Sequence, residues 1–328
     1  MKSILITGAT GFVASHLIPH LVRCNHKITV TTRKAQHSNS FLSNLKVVEN
    51  HEIDGNTDWQ EALKKIDIVI HLAARAHIPL DNSPNSKQEF RKVNVQGTAN
   101  LVQQSIAAGV KQFILISSIG AMATLSQQIL TENSPCNPDT PYGTSKLQAE
   151  QSLIDLASNS DMTWTILRPT LVYGPGNPGN MARLIKLIKL GLPLPFGTVK
   201  NSRSLLYVGN LVDAITTCLS HPRTRNKTFI VSDSENLSTP ELIREISYHL
   251  KRSCYLLPVH TKFLRTSGRL GDRLESLFRK PLIINSSTID RLIGSLAVDS
   301  RNIRNTLNWR PPYTMTQGLA ETLRWVAK

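Results

Sequence analysis

Residues 1–17 read MKSILITGATGFVASHL, and this stretch decides how the rest of the chain is interpreted. The apolar run Ile4–Ile6 is typical of a buried parallel strand, and a helix-like pattern follows the glycines. Gly8 permits a sharp turn, Gly11 lets backbone N–H groups approach a pyrophosphate, and the small Ala14 lets the helix pack close to the strand. The new helix directs its unpaired N–H groups at such an anion. A turn without a ligand is the alternative, but its position directly after a strand favours a dinucleotide site.

Bulk composition indicates a globular protein. The chain has 328 residues, of which 40% are hydrophobic and 19% are charged, so it is long enough for one large domain or two modest ones. The N-terminal apolar run is short and ends in a glycine turn, so we expect no signal peptide. No window approaches the roughly eighteen apolar residues that a membrane span requires.

Cysteine and histidine spacing does not indicate a metal site. His16 and His20 are four residues apart but have no third ligand nearby, so we predict that no metal is bound. The cysteines have no paired spacing, so we expect reduced thiols in a cytoplasmic protein. They are Cys24, Cys136, Cys218 and Cys254.

The formal net charge of +15 is compatible with nucleic acid, an anionic membrane surface or a polyanionic small substrate. The most concentrated basic stretch is RLIKLIK, residues 183–189, which has the pattern of an amphipathic helix. That pattern favours a domain helix with a solvated face over a helix lying on a membrane. A diphosphate-bearing substrate and cofactor would account for part of the positive charge.

Strand and helix patterns alternate over residues 1–170, which predicts a doubly wound parallel (Rossmann) sheet of the α/β class. Predicted strands are Ser3–Thr7, Lys27–Thr32, Lys46–Val48, Asp67–His71, Gln112–Ser117 and Thr163–Leu167. Predicted helices are Phe12–Arg23, Trp59–Lys64, Lys87–Ala108 and Tyr142–Ala157. Residues 171–328 are richer in turns and predict a smaller α/β substrate domain, with returns to the main sheet near 204–231.

Two stretches carry groups suited to proton transfer. Ser117 and Ser118 follow a buried strand at the edge where ligands bind. Tyr142 and Lys146 are four apart on a helix for which Thr140 is a suitable N-cap, so they share one face. A neighbouring ammonium and an oxidised nicotinamide would both lower the pKa of the Tyr142 phenol. Tyr142 could then exchange a proton with a substrate hydroxyl while Ser118 holds the substrate oxygen.

These motifs occur together in one known family. They are TGATGFVA (7–14), His71–Ala74, Val93–Val95, Ser117–Ser118, Tyr142–Lys146, Leu167–Gly174 and Arg203–Leu211. On them the chain resembles the extended short-chain dehydrogenase/reductases, a group of nucleotide-sugar 4-epimerases, dehydratases and reductases. The resemblance covers essentially all 328 residues. Within the group it looks most like bacterial UDP-sugar 4-epimerase-like enzymes of surface polysaccharide synthesis, and particularly the UDP-N-acetylquinovosamine dehydrogenases, which are 4-keto reductases.

The resemblance implies the site residues. Ser118, Tyr142 and Lys146 would be catalytic, and Ser118, Asn180, Arg203 and Arg291 would bind the nucleotide sugar. The residues expected to contact NAD(P) are Gly8, Thr10, Gly11, Phe12, Val13, Arg33, Glu52, Ile53, Leu72, Ala73, Ala74, Asn94, Ser117, Tyr142, Lys146, Pro169 and Thr170. Family members are often dimers through the two long helices, predicted here at Lys87–Ala108 and Tyr142–Ala157.

The chain departs from the family pattern at three places. Ile119–Ala123 replaces the usual segment after the serine pair and leaves the sugar preference open. The second strand ends in Thr31-Thr32-Arg33-Lys34 without the acid that binds the ribose of NAD, so Arg33 favours NADP(H), unless its side chain is simply solvated. Arg291 is a candidate for a second substrate arginine.

Two classes of function are compatible with these residues. The favoured hypothesis is an enzyme that moves a hydride at C4 of a UDP-linked hexose or N-acetylhexosamine, as an epimerase or as a 4-keto reductase. The alternative is a non-catalytic cofactor sensor or RNA-binding protein on the same fold. The presence of Tyr142 and Lys146 favours the enzyme.

Overall fold

Seven parallel strands form the large sheet of this protein, in the order β3-β2-β1-β4-β5-β6-β9. The computed structural model describes residues 1–33, 45–49, 52–76, 85–278 and 285–327. The strands of the large sheet are β1 (Ser3–Thr7), β2 (Lys27–Thr32), β3 (Lys46–Glu49), β4 (Ile68–His71), β5 (Gln112–Ile116), β6 (Thr163–Pro169) and β9 (Lys227–Val231). The strand order reverses between β1 and β4, and a crevice at the carboxyl ends of these two strands is where such sheets bind ligands.

Alternation along β1 explains why helices cover both faces of this sheet. Ile4 and Ile6 belong to the core on one face, whereas Leu5 belongs to the core on the other, as the period of two in a strand requires. One face is covered by α1 (Phe12–Arg23), α7 (Val208–Cys218) and α11 (Arg301–Leu307). The other is covered by α2 (Gln60–Leu63), α4 (Gly97–Ala107) and α5 (Pro141–Ala157).

A second core lies around a small sheet. Its strands, in the order β10-β8-β7, are β7 (Leu171–Tyr173), β8 (Arg203–Tyr207) and β10 (Asn236–Leu237). The helices around it are α6 (Asn180–Lys189), α8 (Thr239–Leu250), α9 (Thr261–Phe278), α10 (Ser286–Ile293) and α12 (Met315–Ala327). In the described part of the chain, no helix is both long and apolar enough to cross a membrane.

The predicted helix over Lys87–Ala108 is irregular in the structure. It consists of α3 (Ser86–Phe90), a π-helical segment over Arg91–Gln96, and α4. The wider π-helical turn changes the direction of the side chains that follow it. Gly109 then ends α4 with a φ of +76°, as the sequence predicts for a helix C-terminus.

Candidate active site

The turn from β1 into α1 has the shape of a phosphate cradle. Gly8 has a φ of +73°, and a Cβ there would lie 2.8 Å from the backbone of Ala73, so only glycine fits. Gly11 donates its N–H to the Gly8 carbonyl at 2.9 Å and precedes α1 without any side-chain cap. The first N–H groups of α1 are therefore available to an anion.

Other predicted cofactor residues line the same crevice. Thr10 is exposed in the turn, Phe12 and Val13 form the first turn of α1, and Leu72–Ala74 follow β4 beside Gly8. Pro169 ends β6, and the next residue is Thr170. The Thr170 hydroxyl is buried and has no hydrogen-bond partner among the described residues, as expected of a group that a ligand satisfies. The cradle and this hydroxyl fit a dinucleotide.

His71, at the end of β4, supports this crevice from below. Thr7 Oγ1 accepts the Ala73 N–H at 3.2 Å and lies 2.7 Å from His71 Nδ1, while Nε2 lies 3.1 Å from Thr98 Oγ1. Because Thr98 donates its own hydroxyl to the Asn94 carbonyl, the network assigns the proton to Nε2. Burial, followed by the charge of Lys146, lowers the pKa of His71 to about 3. The ring is therefore neutral at pH 7.

Asn94 connects the loop after β4 to α5. Its side chain accepts the Arg75 N–H at 2.8 Å and donates to the Arg75 carbonyl at 3.0 Å and to Ser145 Oγ at 2.9 Å. Ser145 in turn donates to the Tyr142 carbonyl at 2.7 Å. The predicted cofactor residue Asn94 thus ties the backbone of the crevice to the helix that carries the tyrosine.

The three predicted catalytic residues lie together at the edge of the large sheet. The N-cap of α5 forms as predicted, since Thr140 Oγ1 accepts the Gly143 N–H at 3.1 Å. Tyr142 and Ser118 are hydrogen-bonded to each other, and Lys146 donates to the Ile116 carbonyl at 2.7 Å. Ser118 also caps the short turn that follows it, through the Gly120 N–H at 3.0 Å.

The pKa values of this group differ from the sequence-based expectation. In the chain by itself, burial raises the pKa of Tyr142, and the hydrogen bond with Ser118 opposes that change. Burial also lowers the pKa of Lys146 to about 8, against an opposing effect of Glu150. Lys146 is not among the groups that shift the pKa of Tyr142, and its ammonium donates to the Ile116 carbonyl.

Sequence reasoning missed a buried ion pair directly behind this group. Arg168 donates to Glu150 from Nη2 at 2.6 Å and from Nε at 3.1 and 3.2 Å, and Ser117 donates its hydroxyl to the same carboxylate. Ser117, predicted to touch the cofactor, therefore points into this network. Glu150 lies four residues after Lys146 on α5, and that spacing was the available signal.

The adenine end of the crevice carries the remaining predicted cofactor residues. Arg33 is exposed directly after β2, and Lys34 lies outside the described residues. Glu52 is exposed and bonded to Lys92 at 2.8 Å. Ile53 is half-buried against Gly97. In the sequence, the residue after Arg33 is Lys34 and not an acid.

The predicted substrate arginines meet on the side of the smaller core. Arg203, at the start of β8, donates to the Gly294 carbonyl at 3.0 Å. Burial and the charge of Arg291 both lower the pKa of Arg203, and burial and Arg183 lower that of Arg291, with Asp139 opposing. Asn180 is the first residue of α6, three positions before Arg183. The charge of Arg291 thus acts on Arg203 and that of Arg183 acts on Arg291, and sequence analysis had assigned Arg183 only to a basic helix.

Comparison with known proteins identifies the family. The profile of the "NAD dependent epimerase/dehydratase family" matches residues 4–232. A UDP-glucose 4-epimerase of Vibrio cholerae is 39% identical over 98% of this chain and 94% of that protein. The chain belongs to this family, and it is an enzyme of the extended short-chain dehydrogenase/reductase class.

Two further comparisons extend across the whole chain. An Escherichia coli O157:H7 protein, N-acetyl-alpha-D-glucosaminyl-diphospho-ditrans,octacis-undecaprenol 4-epimerase, is 28% identical over 98% of this chain and 95% of that protein. The structure of UDP-glucuronic acid 4-epimerase from Bacillus cereus in complex with NAD has a TM-score of 0.76 at 21% identity, with 99% of this chain and 98% of that chain covered. The predicted Rossmann fold is confirmed, and membership in an enzyme family favours the enzyme over the non-catalytic alternative.

Proposed function

We propose that this enzyme moves a hydride at C4 of a UDP-linked hexose or N-acetylhexosamine. The observation that carries the proposal is the hydrogen bond between Ser118 and Tyr142 at the edge of the sheet that also carries the phosphate cradle. The interacting arginines Arg203 and Arg291 add positive charge suited to a diphosphate. Clustered guanidinium groups repel one another unless an anion lies between them, and a nucleotide diphosphate supplies two adjacent negative groups.

Tyr142 serves as the acid and base in this proposal. As C4 is oxidised, the phenolate accepts the proton of the C4 hydroxyl, and as the ketone is reduced, the phenol returns it. Ser118 donates a hydrogen bond to the same oxygen and stabilises its developing charge. A dinucleotide held by the Gly8–Val13 turn and Thr170 would supply acceptance and donation of the hydride, and the positive charge of its oxidised form would favour the phenolate of Tyr142. Lys146, Glu150 and Arg168 position these groups from behind.

Epimerase and 4-keto reductase use the same residues in this scheme. An epimerase oxidises C4, lets the keto sugar turn over and reduces its other face with the cofactor still bound. A reductase carries out the second half and exchanges cofactor at each turnover. The Vibrio cholerae relative supports the epimerase, and the Escherichia coli relative, which acts on a lipid-linked diphosphate sugar, supports a role in surface polysaccharide synthesis.

We propose NADP(H) as the preferred coenzyme, with NAD as the alternative. The exposed guanidinium of Arg33, directly after β2, could pair with a 2′-phosphate. The Bacillus cereus structure, which contains NAD, supports the alternative. We expect Arg33→Ala to weaken binding of NADPH by about tenfold, the loss of one charge-assisted bond, and to leave NADH binding unchanged. Titration calorimetry measures both, and equal affinities of the variant and the wild type for NADPH would support NAD.

The reaction is tested with purified protein and three classes of UDP-sugar. Interconversion of UDP-glucose with UDP-galactose, or of their N-acetylamino analogues, without net change in cofactor absorbance would indicate an epimerase. Stoichiometric oxidation of NADPH or NADH by a UDP-4-keto-6-deoxy-N-acetylhexosamine would indicate a reductase. Failure of both would contradict the proposed substrate class.

Tyr142→Phe is the matched substitution for the assigned acid and base. We expect it to lower turnover by about a hundredfold or more, since general acid–base catalysis contributes at least that much. The ring would keep its edge contact with Phe90, 6.1 Å between centroids. Tyr248→Phe, at an exposed position on α8, should turn over as the wild type does. Full activity of Tyr142→Phe would overturn the assignment.

We further propose a dimer through the outer sides of α4 and α5 and a cytoplasmic location. The four cysteines are all free in the structure, which supports a reducing compartment. Sedimentation of the purified enzyme would test the dimer, and Gln148→Arg on the exposed side of α5 should shift a true dimer toward the monomer.

A further inference from the structure

The smaller core leaves a set of large apolar side chains in solvent on adjoining segments. Phe263 is 71% exposed on the first turn of α9, and Tyr255 is 70% exposed in the segment that precedes it. The backbone of Leu194 is bonded to that of Tyr255 at 2.8 Å and of Leu257 at 2.9 Å. The exposed residues on these segments are Leu190, Leu192, Tyr255, Leu257, Phe263 and Leu270.

Helix α9 shows why these side chains are not part of the core. Its inner side carries Leu264 and Gly268, and a Cβ at Gly268 would lie 3.0 Å from Ser286 Cα, so α10 packs closely against it. Phe263 and Leu270 are seven residues apart and lie together on the outer side. A helix that used apolar residues for its core contact alone would place polar residues at these two positions.

Exposed cations lie close in sequence to the exposed apolar residues of α9 and of the segment before it. The outer side of α9 carries Lys262, Arg265, Arg269 and Arg273 against one acid, Asp272. Within the described part of the chain, the pair between Arg265 and Asp290, at 3.8 Å, is the only ion pair of these four cations. Lys251 and Arg252 add two more exposed cations just before Tyr255. We call the six exposed apolar residues and these six cations the basic apolar patch.

We propose that the basic apolar patch docks this enzyme on the surface of an anionic lipid bilayer. Cations among exposed aromatic and leucine side chains are the composition of helices that lie in a membrane interface, with apolar groups in the acyl boundary and charges at the headgroups. A nucleic acid would bind through the cations alone and would make no contact with the exposed Leu257 and Leu270 side chains. The net charge of +15 adds long-range attraction to the same surface.

This docking differs from the membrane contact considered for residues 183–189. In α6, Leu184, Ile185 and Ile188 are buried in the smaller core and only the basic side is in solvent. That helix is therefore a domain helix with a solvated face, as the sequence pattern favoured. The apolar groups available to lipid are those of α9 and the paired segments beside it.

Vesicle co-sedimentation tests the proposal on the full chain. Wild-type protein should sediment with vesicles of phosphatidylcholine and phosphatidylglycerol at low salt, and not with phosphatidylcholine alone. Arg269→Gln with Arg273→Gln should lower the partition coefficient by about twenty-fivefold, about fivefold for each cation removed. Phe263→Ser should lower it by about tenfold through loss of the buried ring. All variants should keep the wild-type unfolding temperature.

Matched controls separate the patch from general charge. Lys64→Gln with Lys111→Gln removes two exposed cations of the large domain, and Val22→Ser removes an exposed apolar residue of α1. Both controls should bind as the wild type does. The proposal is overturned if the wild type does not sediment with anionic vesicles, or if the lysine pair weakens binding as much as the arginine pair. It is also overturned if Phe263→Ser has no effect while poly(U) RNA competes fully with the vesicles.

Discussion

His71 stays neutral because burial, and after it the charge of Lys146, lowers the pKa of the ring, while a threonine hydroxyl contacts each of its two nitrogens. Protonation would remove the acceptor at Nδ1 that Thr7 uses, and Thr7 also holds the backbone of Ala73 under the phosphate cradle. The ionisation of one buried ring is therefore linked to the shape of the cofactor crevice.

This linkage predicts an acid-dependent loss of stability. The pKa of His71 is about 3 in the folded chain and about 6.5 unfolded, so between these values the unfolded state binds more protons. The contribution of neutral His71 to the free energy of unfolding is fully present above pH 6.5 and is lost as the pH falls toward 3. From pH 8 to pH 5 the free energy of unfolding should fall by about 2 kcal/mol through this group. Denaturant titrations at pH 8 and pH 5 should show that the free energy of unfolding of His71→Asn does not fall by this amount. An equal fall in the variant and the wild type would contradict the prediction.

At the level of residues, the sequence predicted Ser118, Tyr142 and Lys146 from the residue types and spacing that the chemistry requires, and the structure brings these three together. Their catalytic roles stay a prediction. Glu150 and Arg168 were missed as a pair because they come from different elements, a helix and a strand. Their pairing depends on how α5 lies against β6, which a linear pattern does not specify.

The start of α5 and the turn after β5 approach each other more closely than any side chain allows. A Cβ at Gly143 would clash with the Gly120 carbonyl oxygen and would lie 3.1 Å from Pro138. This contact sets the distance between Ser118, which caps the turn, and Tyr142, on the first turn of the helix. The absence of a Cβ at Gly143 therefore allows the start of α5 and the turn after β5 to approach this closely.

Gly143→Ala should therefore separate these elements. We expect a loss of about 1 to 3 kcal/mol of stability, typical of overpacking, and a larger proportional loss of turnover because the two catalytic groups move apart. Gly55→Ala is the matched control, since its nearest neighbour would be 3.6 Å away. Thermal unfolding and initial rates measure the two effects. Wild-type behaviour of Gly143→Ala would show that the turn moves freely.

Elements were predictable in type and less so in detail. The stretch Lys87–Ala108 was predicted as one helix, and the structure divides it into α3, a π-helical segment and α4. The π-helical segment contains Asn94, which bonds to the Arg75 backbone and to Ser145 at once. These bonds are tertiary contacts and leave no periodicity in the sequence.

The large sheet of the whole molecule depends on residues far along the chain. Strand β9 pairs with β6, and residues of α7 and α11 complete the core on one face of the sheet together with Trp309. Asp233 joins the two cores, because it accepts hydrogen bonds from the Tyr207 N–H, Asn210 and Tyr173. The sequence predicted the return near 204–231 from its pattern, and it had no short-range signal for residues 301–309.

The division into two domains at residue 170 therefore remains a prediction. The residues that form the core indicate how a fragment ending at residue 170 would behave. A fragment of residues 1–170 would expose the face of the sheet that α7, β9 and α11 cover in the full chain. We expect it to lack a cooperative unfolding transition in denaturant, since its apolar face has no partner. The full chain is the control. A cooperative transition of the fragment would establish residues 1–170 as an independent folding unit.

The π-helical turn at Arg91–Gln96 has a consequence for how this protein tolerates changes in length. Deleting one residue there would restore an ordinary α-helix, which is intrinsically the more favourable backbone. The same deletion would rotate everything on one side of it by about 100° relative to the other. Asn94 would then leave Arg75 and Ser145. Shortening the chain by one residue would make the helix regular and would separate Asn94 from the crevice, so the length of this segment is tied to the shape of the site.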